Sequence, residues 1–393
     1  MACRRSPVRV RHGPHYTTME TSNSKEFIIL GAGLAGLVAA INLSRAGFKV
    51  KIYEKKNFVG QHEKETVQLL PNWFSKEDVI GEIDRCGIKT KWLNKISEIE
   101  IYFGEKRKLT LKSKKFPIGY TVLRGGDNSF EKDLAQEAKT LGVEIILGRK
   151  PDKKPDIIAT GCGKILTIGY GRVYKGDFEP QKAKVFLTQE HSPSVGYAYL
   201  FPHNKKLATF KISKRIGETL DFKEKLKEIQ NQYLRKELKE ENLLYEFGSK
   251  RSFGVPKTAI QDGSILVGEA AGFQDELFRF GMRYAIISGY LAAQALAKNL
   301  DYDKLWKKSF ASEFQKTSRV RKVFEAQKKI RFDFFPEDTE IIMDIENFRK
   351  IWLSPRLNMA LFLYPIFGRF FSKRLIKPLL NIFLKLGVLT KNY

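Results

Sequence analysis

The sequence has little of what marks a secreted or membrane-spanning protein. Only three of its 393 residues are cysteine, Cys3, Cys86 and Cys162. An odd number without metal-type spacing excludes a disulfide framework and a structural zinc, and fits a reducing, cytoplasmic setting. No run of about 18 uncharged apolar residues occurs, so no conventional spanning helix is expected. The N-terminus lacks the apolar core of an export signal; residues 1–25 read as an arm, with Met19 placed as a start site would be. The five histidines are dispersed and suggest no metal site. The two ends also lack acid. Residues 1–19 hold four Arg and residues 350–393 hold eight Lys or Arg, with no Asp or Glu in either, in a chain of net charge +26. Nucleic acid, an anionic membrane and anionic substrates all answer to such a field. Neither a nucleic-acid motif nor a basic-aromatic repeat accompanies it, which argues against nucleic acid.

What is present is an enzyme-sized globular chain, 42% apolar. Residues 26–54, EFIILGAGLAGLVAAINLSRAGFKVKIYE, read as strand, glycine-rich turn, helix, strand and a closing acid. Ser129 is placed to cap a helix that Gly142 ends, and VEIILG and PDIIATG are short apolar strands that extend a parallel sheet. From 170 to 215 aromatic and β-branched residues alternate with polar ones, as in an antiparallel sheet with one wet face. A charged helix is expected over 217–242, then a strand, a Gly/Ala turn and a long apolar helix over 264–298. The expected architecture is α/β: a Rossmann-like domain in two parts (26–165 and 256–300), an inserted antiparallel-sheet domain (166–255), and a helical C-terminal region (301–393) whose tail from 351 is apolar and basic.

The chemistry is concentrated in a few motifs. Gly31-Ala32-Gly33-Leu34-Ala35-Gly36 lies between a strand and a helix, where its glycines allow a tight turn, close approach to a pyrophosphate and close helix packing. The helix N-terminus adds N–H groups and positive partial charge. Glu54, at the end of the second strand, suits a ribose diol. Ile265-Leu266-Val267-Gly268-Glu269-Ala270-Ala271-Gly272 repeats the strand-turn-helix logic and puts one carboxylate near a turn; alone it is also an ordinary turn. Tyr197, Tyr199 and Phe201, at period two, share one strand face. That face either lines an apolar slot or packs into the core.

Taken together, these motifs resemble flavoprotein reductases of the geranylgeranyl reductase type, within the FAD-dependent group that includes the aromatic hydroxylases, over roughly residues 26–300. The resemblance implies FAD contacts at Gly31, Gly33, Ala35, Gly36, Glu54, Arg124, Gly268, Glu269, Gly281 and Met282. Asp156 and Gly161 are similar to a worn Asp-Gly motif. Tyr197, Tyr199 and Phe201 match an aromatic substrate motif. Departures are Glu269 where Asp is usual, Glu276 and Arg279 where Pro and Gly are common, and no Cys soon after Glu54.

The implied reaction saturates carbon-carbon double bonds of a polyprenyl (geranylgeranyl) group on a lipid or diphosphate, the alkene receiving a hydride and then a proton. The single GxGxxG implies that electrons arrive from transient NAD(P)H or from a small electron-carrier protein. The tail, with Arg369, Lys373, Arg374, Lys377 and Lys385, suits helices lying on an anionic membrane surface; its other reading is a cap on the core. A flavin monooxygenase and a membrane-surface flavin- or prenyl-lipid-binding module remain the alternatives.

Overall fold

A computed structural model describes residues 25–60, 64–74, 77–103, 108–113, 116–187, 197–326, 340–346, 348 and 389–392. The arm before residue 25, His62, His191 and the basic tail between 351 and 388 lie outside the described residues. The chain begins with β1 (Glu26–Leu30), α1 (Leu34–Arg45) and β2 (Lys49–Glu54). Next come β3 (Thr66–Pro71), α2 (Val79–Arg85), β4 (Asn94–Ile96), β5 (Glu98–Phe103), β6 (Lys108–Lys112) and β7 (Gly119–Arg124). The middle of the chain holds α3 (Phe130–Thr140), β8 (Glu144–Leu147), β9 (Ile157–Ile158), β10 (Thr167–Lys175), β11 (Lys182–Leu187), β12 (Ala198–Pro202) and β13 (Leu207–Arg215). It is completed by α4 (Phe222–Tyr233), β14 (Leu243–Arg251), β15 (Ile260–Gln261), β16 (Ser264–Leu266), α5 (Met282–Lys298), α6 (Tyr302–Ala326), β17 (Glu340–Asp344) and β18 (Leu389–Asn392).

The first sheet runs β15-β16-β9-β1-β2-β8. All its pairs are parallel except β15 with β16. This is the doubly wound, Rossmann-like arrangement, and the glycine-rich turn after β1 falls at the carboxyl end of the strands, where such sheets bind ligands. Helix α1 is buried on nearly every side, from Leu34 to Ile41. Its Ala- and Leu-rich composition follows, because α1 packs against β2, α3 and α5 at once. Where α1 meets α5 there is room for no side chain at one point: a Cβ on Gly289 would stand 2.3 Å from the Ala35 carbonyl oxygen.

The second sheet has nine strands, β14-β10-β13-β12-β11-β5-β6-β17-β18, and a third joins β3, β7 and β4. The alternation over 170–215 does form antiparallel strands. The nine-stranded sheet nevertheless also takes β5, β6 and β17 from outside 166–255, with β11 parallel to β5 and β17 parallel to β6. The region from 301 is therefore not all helix. The short apolar run EIIMD has no period that separates strand from helix, and pairing with β6 decides it. The charged helix expected over 217–242 is shorter, because Asp221 caps it, accepting from the backbone N–H groups of Lys223 and Glu224. Ser129 sits at the start of α3 but does not cap it; its hydroxyl donates to the Gly126 carbonyl at 3.0 Å.

His203 fills a core-satisfying role. It is 4% exposed, its Nε2 lies 2.7 Å from the Thr209 hydroxyl, and burial pushes its pKa from 6.5 down to about 4. The folded state favours neutral imidazole, so this contribution is complete above pH 6.5 and is lost as pH falls from 6.5 towards 4. Loss of about 3 kcal/mol is expected over that window. Urea midpoints measured from pH 7 to 4 should show the fall, and His203→Gln should flatten it.

Candidate functional site

The glycines of the first turn divide into two kinds. Gly31 has φ +112, and a Cβ there would stand 2.4 Å from the Ala159 carbonyl oxygen. A Cβ on Gly36 would stand 2.1 Å from the Gly31 carbonyl oxygen. These two are fixed by packing. Gly33 has ordinary extended backbone and nothing within 4 Å of where its Cβ would be. The open space beside it is the end of a cavity of 810 Å³, faced by the N-terminus of α1, whose first N–H groups have no partner within the helix.

Of the residues singled out in the sequence, Gly33, Ala35, Glu54, Arg124, Gly268, Glu269, Gly281, Met282, Tyr197, Tyr199 and Phe201 line this one cavity, while Gly31 and Gly36 stand behind its wall. Glu54 is buried and braces the turn: its carboxylate accepts from the N–H of Ala32 at 2.9 Å and of Lys56 at 3.0 Å. Arg124 is buried, bonded through Nε to Glu131 at 2.6 Å and through Nη1 to Gln68 at 3.0 Å. Gly268 adopts φ +58, and Glu269 accepts from the Ser252 N–H at 2.6 Å. Burial pushes the Glu269 pKa up, against the pull of Arg251. Gly281 opens α5 at the cavity floor. Asp156 plays a structural part, its carboxylate accepting from the Ile28 N–H at 2.8 Å, whereas Gly161 lines the cavity.

The far wall is the face of the nine-stranded sheet. Tyr199 pairs in register with Lys211, and Phe201 with Thr209; Ser213 and Ser249 both pair with Gly169. Residues at period two on four neighbouring strands therefore make one surface. Gly169 keeps it flat, since a Cβ there would meet the Ser249 hydroxyl at 2.6 Å. The rings of Tyr199 and Phe201 stack at 4.2 Å, and the Tyr197 hydroxyl donates to the Phe278 carbonyl at 2.6 Å. Burial pushes both tyrosine pKa values up, so the phenols stay neutral. Leu69, Phe278 and Phe280 complete an apolar slot.

Sequence reading missed Lys211, Ser213, Ser249, Arg251, Gln68, Gln274 and Arg279, all on the cavity wall. The signal for Lys211 and Ser213 was the alternation of LATFKIS, which puts them on the same face as Thr209. Lys211 is buried, and burial with nearby Arg251 pushes its pKa well down. Cys162, expected to be a buried hydrophobe, is half-exposed and lines the cavity; Cys86 is buried as expected, its thiol pushed up to about 12 by burial. Among the described residues no group of three His, Cys, Asp or Glu is placed to hold a metal.

The residues present fit a flavin dinucleotide. A side chain on Gly33 would fill the space that a pyrophosphate needs, and two buried oxygens on the cavity wall, Thr167 Oγ1 and Gln274 Oε1, have no hydrogen-bond partner among the described residues. The fold is Rossmann-like, with the cavity at the carboxyl end of the parallel strands. The profile of the NAD(P)-binding Rossmann-like domain matches residues 29–78. The chain is 23% identical to digeranylgeranylglycerophospholipid reductase 2 of Methanococcoides burtonii, over 76% of this chain and 84% of that protein. In fold it is similar to a geranylgeranyl bacteriochlorophyll reductase-like protein of Thermoplasma acidophilum, with TM-score 0.64 and 20% identity over 88% of this chain and 98% of that one. A halogenase in complex with FAD shares the fold at TM-score 0.55 and 13% identity, over 77% of each chain.

Proposed function

We propose that this protein is an FAD-dependent reductase that saturates carbon-carbon double bonds of geranylgeranyl chains carried on a lipid or a diphosphate. One observation carries the reading: the glycine cradle at Gly33 and the aromatic slot at Tyr197, Tyr199 and Phe201 open into a single 810 Å³ cavity. Gly33 and Ala35 with the start of α1 would hold the pyrophosphate, Gly36 letting the helix pack against the turn behind them, Glu54 the adenosine ribose, and Arg124, Glu269, Gly281 and Met282 the rest of the cofactor. When bound and reduced, the flavin supplies the hydride. The protein's part is to hold the chain and keep it dry: the stacked faces of Tyr199 and Phe201 suit an extended apolar chain. Lys211 is a buried amine on the wall the alkene would face, and burial favours its neutral form. Electrons would come from NAD(P)H or a small carrier protein.

Mass analysis of a geranylgeranyl lipid incubated with the reduced protein tests this. A gain of two hydrogens per reduced bond is expected; a product that gains oxygen instead would overturn it in favour of a monooxygenase.

No helix among the described residues is long and apolar enough to cross a membrane. We infer peripheral attachment, with the Lys and Arg of residues 351–393 on anionic headgroups. Full-length protein should sediment with vesicles rich in phosphatidylglycerol and not with phosphatidylcholine alone. Replacing Arg369, Lys373, Arg374 and Lys377 by Gln should release it; equal binding to both vesicles contradicts the idea.

A further inference from the structure

Arg279 is placed in a way that the cofactor cradle does not explain. It is the third residue before the start of α5, and its backbone adopts φ +62, a region that long side chains avoid. The turn is imposed by Asp275, whose buried carboxylate accepts from the N–H groups of Leu277, Phe278 and Phe280 at 3.1, 2.6 and 2.6 Å. This drives the guanidinium into the cavity, where Nη1 donates to the Ser213 hydroxyl at 2.8 Å. Its Nε and Nη2 are shielded from solvent and have no partner among the described residues. Leaving two guanidinium donors unmatched in a buried place is costly unless a ligand completes them.

The surroundings identify the sign of that ligand. Arg215, on the same face of β13 as Ser213, and Arg279 both lie over the Phe253 ring, at 5.7 and 5.8 Å. Burial lowers the Arg279 pKa, and Arg321, buried on α6, and Arg215 lower it further electrostatically. Glu218 acts electrostatically with the same three arginines, and one of its carboxylate oxygens is unmatched among the described residues. Asp275 is committed to backbone N–H groups. Cations thus outnumber carboxylates where the cavity wall runs from the aromatic slot towards β13.

We propose that Arg279, supported by Arg215 and Arg321, binds the phosphate group at the head of the substrate. The proposal rests on the reductase reading for the substrate's prenyl chain, but the anion site itself is argued from the guanidiniums alone. A planar fork with two free donors matches two phosphate oxygens. The prenyl chain then extends from the phosphate past Ser213 towards Tyr199 and Phe201, which places the alkene nearest the head group in the slot first.

The test uses full-length, FAD-loaded protein, so that the pyrophosphate cradle at Gly33 is already filled. Calorimetric titration with inorganic diphosphate should show binding that weakens about tenfold or more in Arg279→Gln and less in Arg279→Lys. Arg215→Gln should weaken it too, by a smaller factor. Flavin absorbance and circular dichroism confirm that each variant is folded and loaded. No diphosphate binding by wild type, or equal binding by the loaded Arg279→Gln protein, overturns the proposal. Turnover of geranylgeranyl diphosphate, of digeranylgeranylglycerophosphate in detergent and of geranylgeraniol separates the sources. The phosphorylated compound with the lower KM is the one whose head the site fits, and that preference over geranylgeraniol should collapse in Arg279→Gln. If prenyl alkenes are not reduced at all while diphosphate binding still depends on Arg279, the reductase reading falls and the anion site stands.

Discussion

Gly33→Val should yield a folded protein that retains no FAD, while Gly36→Val should not fold stably at all. The two positions lie three residues apart in one motif, yet their surroundings differ. At Gly33 the backbone is extended and the Cβ position opens onto the cavity. A valine there alters the start of α1 and little else, at a cost of about 1 kcal/mol to the apoprotein. It occupies the volume a pyrophosphate requires, and FAD affinity should drop by about two orders of magnitude or more. At Gly36 the new Cβ would stand 2.1 Å from the Gly31 carbonyl oxygen. Neither the turn nor the helix can give way without moving the other, so destabilisation of about 3 kcal/mol or more is expected. Flavin absorbance after FAD reconstitution, together with apoprotein urea midpoints, separates the two effects. A Gly33→Val protein that keeps its flavin would show that the pyrophosphate does not lie at this turn.

The second large effect concerns stability. Arg283, the second residue of α5 and 5% exposed, donates to Glu82 on α2 at 2.5 and 2.6 Å and to Glu313 on α6 at 2.7 Å. Burial works against its charge, but the carboxylates of Glu313 and Glu82 carry its pKa above the ordinary value. Arg283→Met leaves two carboxylates facing each other without their cation, which costs about 3–5 kcal/mol. Because Met282 and Gly281 form the cavity floor just before it, flavin retention should weaken along with stability. Replacing Glu82, Arg283 and Glu313 together by apolar residues should recover most of the loss, since a well-packed apolar substitute for a buried ion triad is close to neutral. Denaturant midpoints of the single and triple variants provide the check; an Arg283→Met protein within about 1 kcal/mol of wild type contradicts this account.

The parallel sheet and its glycine turn were legible because their signals are local. A strand, a helix apolar on all sides and a closing acid occur within residues 26–54, and the turn chemistry leaves few other structures possible. The aromatic face of β12 was legible for the same reason, through its period of two. What could not be read depends on partners distant in sequence. Strands β5 and β17 carry no mark saying which sheet they join, and Glu82, Arg283 and Glu313 are ordinary surface-type residues until α2, α5 and α6 meet. Arg279 stood out in the sequence only as a departure. Its importance comes from Asp275 turning the backbone and from Arg215 and Arg321 arriving from other elements. Lys211 lay in plain alternation, but nothing local said that its face of β13 was the wall of a cavity rather than a solvent-facing surface.

The most direct test of the central claim is to load the protein with FAD, reduce it with dithionite under anaerobic conditions, and add a geranylgeranyl lipid while following flavin absorbance. The account predicts that the oxidised spectrum returns without oxygen, one flavin reoxidised for each double bond saturated. A spectrum that stays bleached with every prenyl substrate, and returns only when oxygen is admitted, would contradict it.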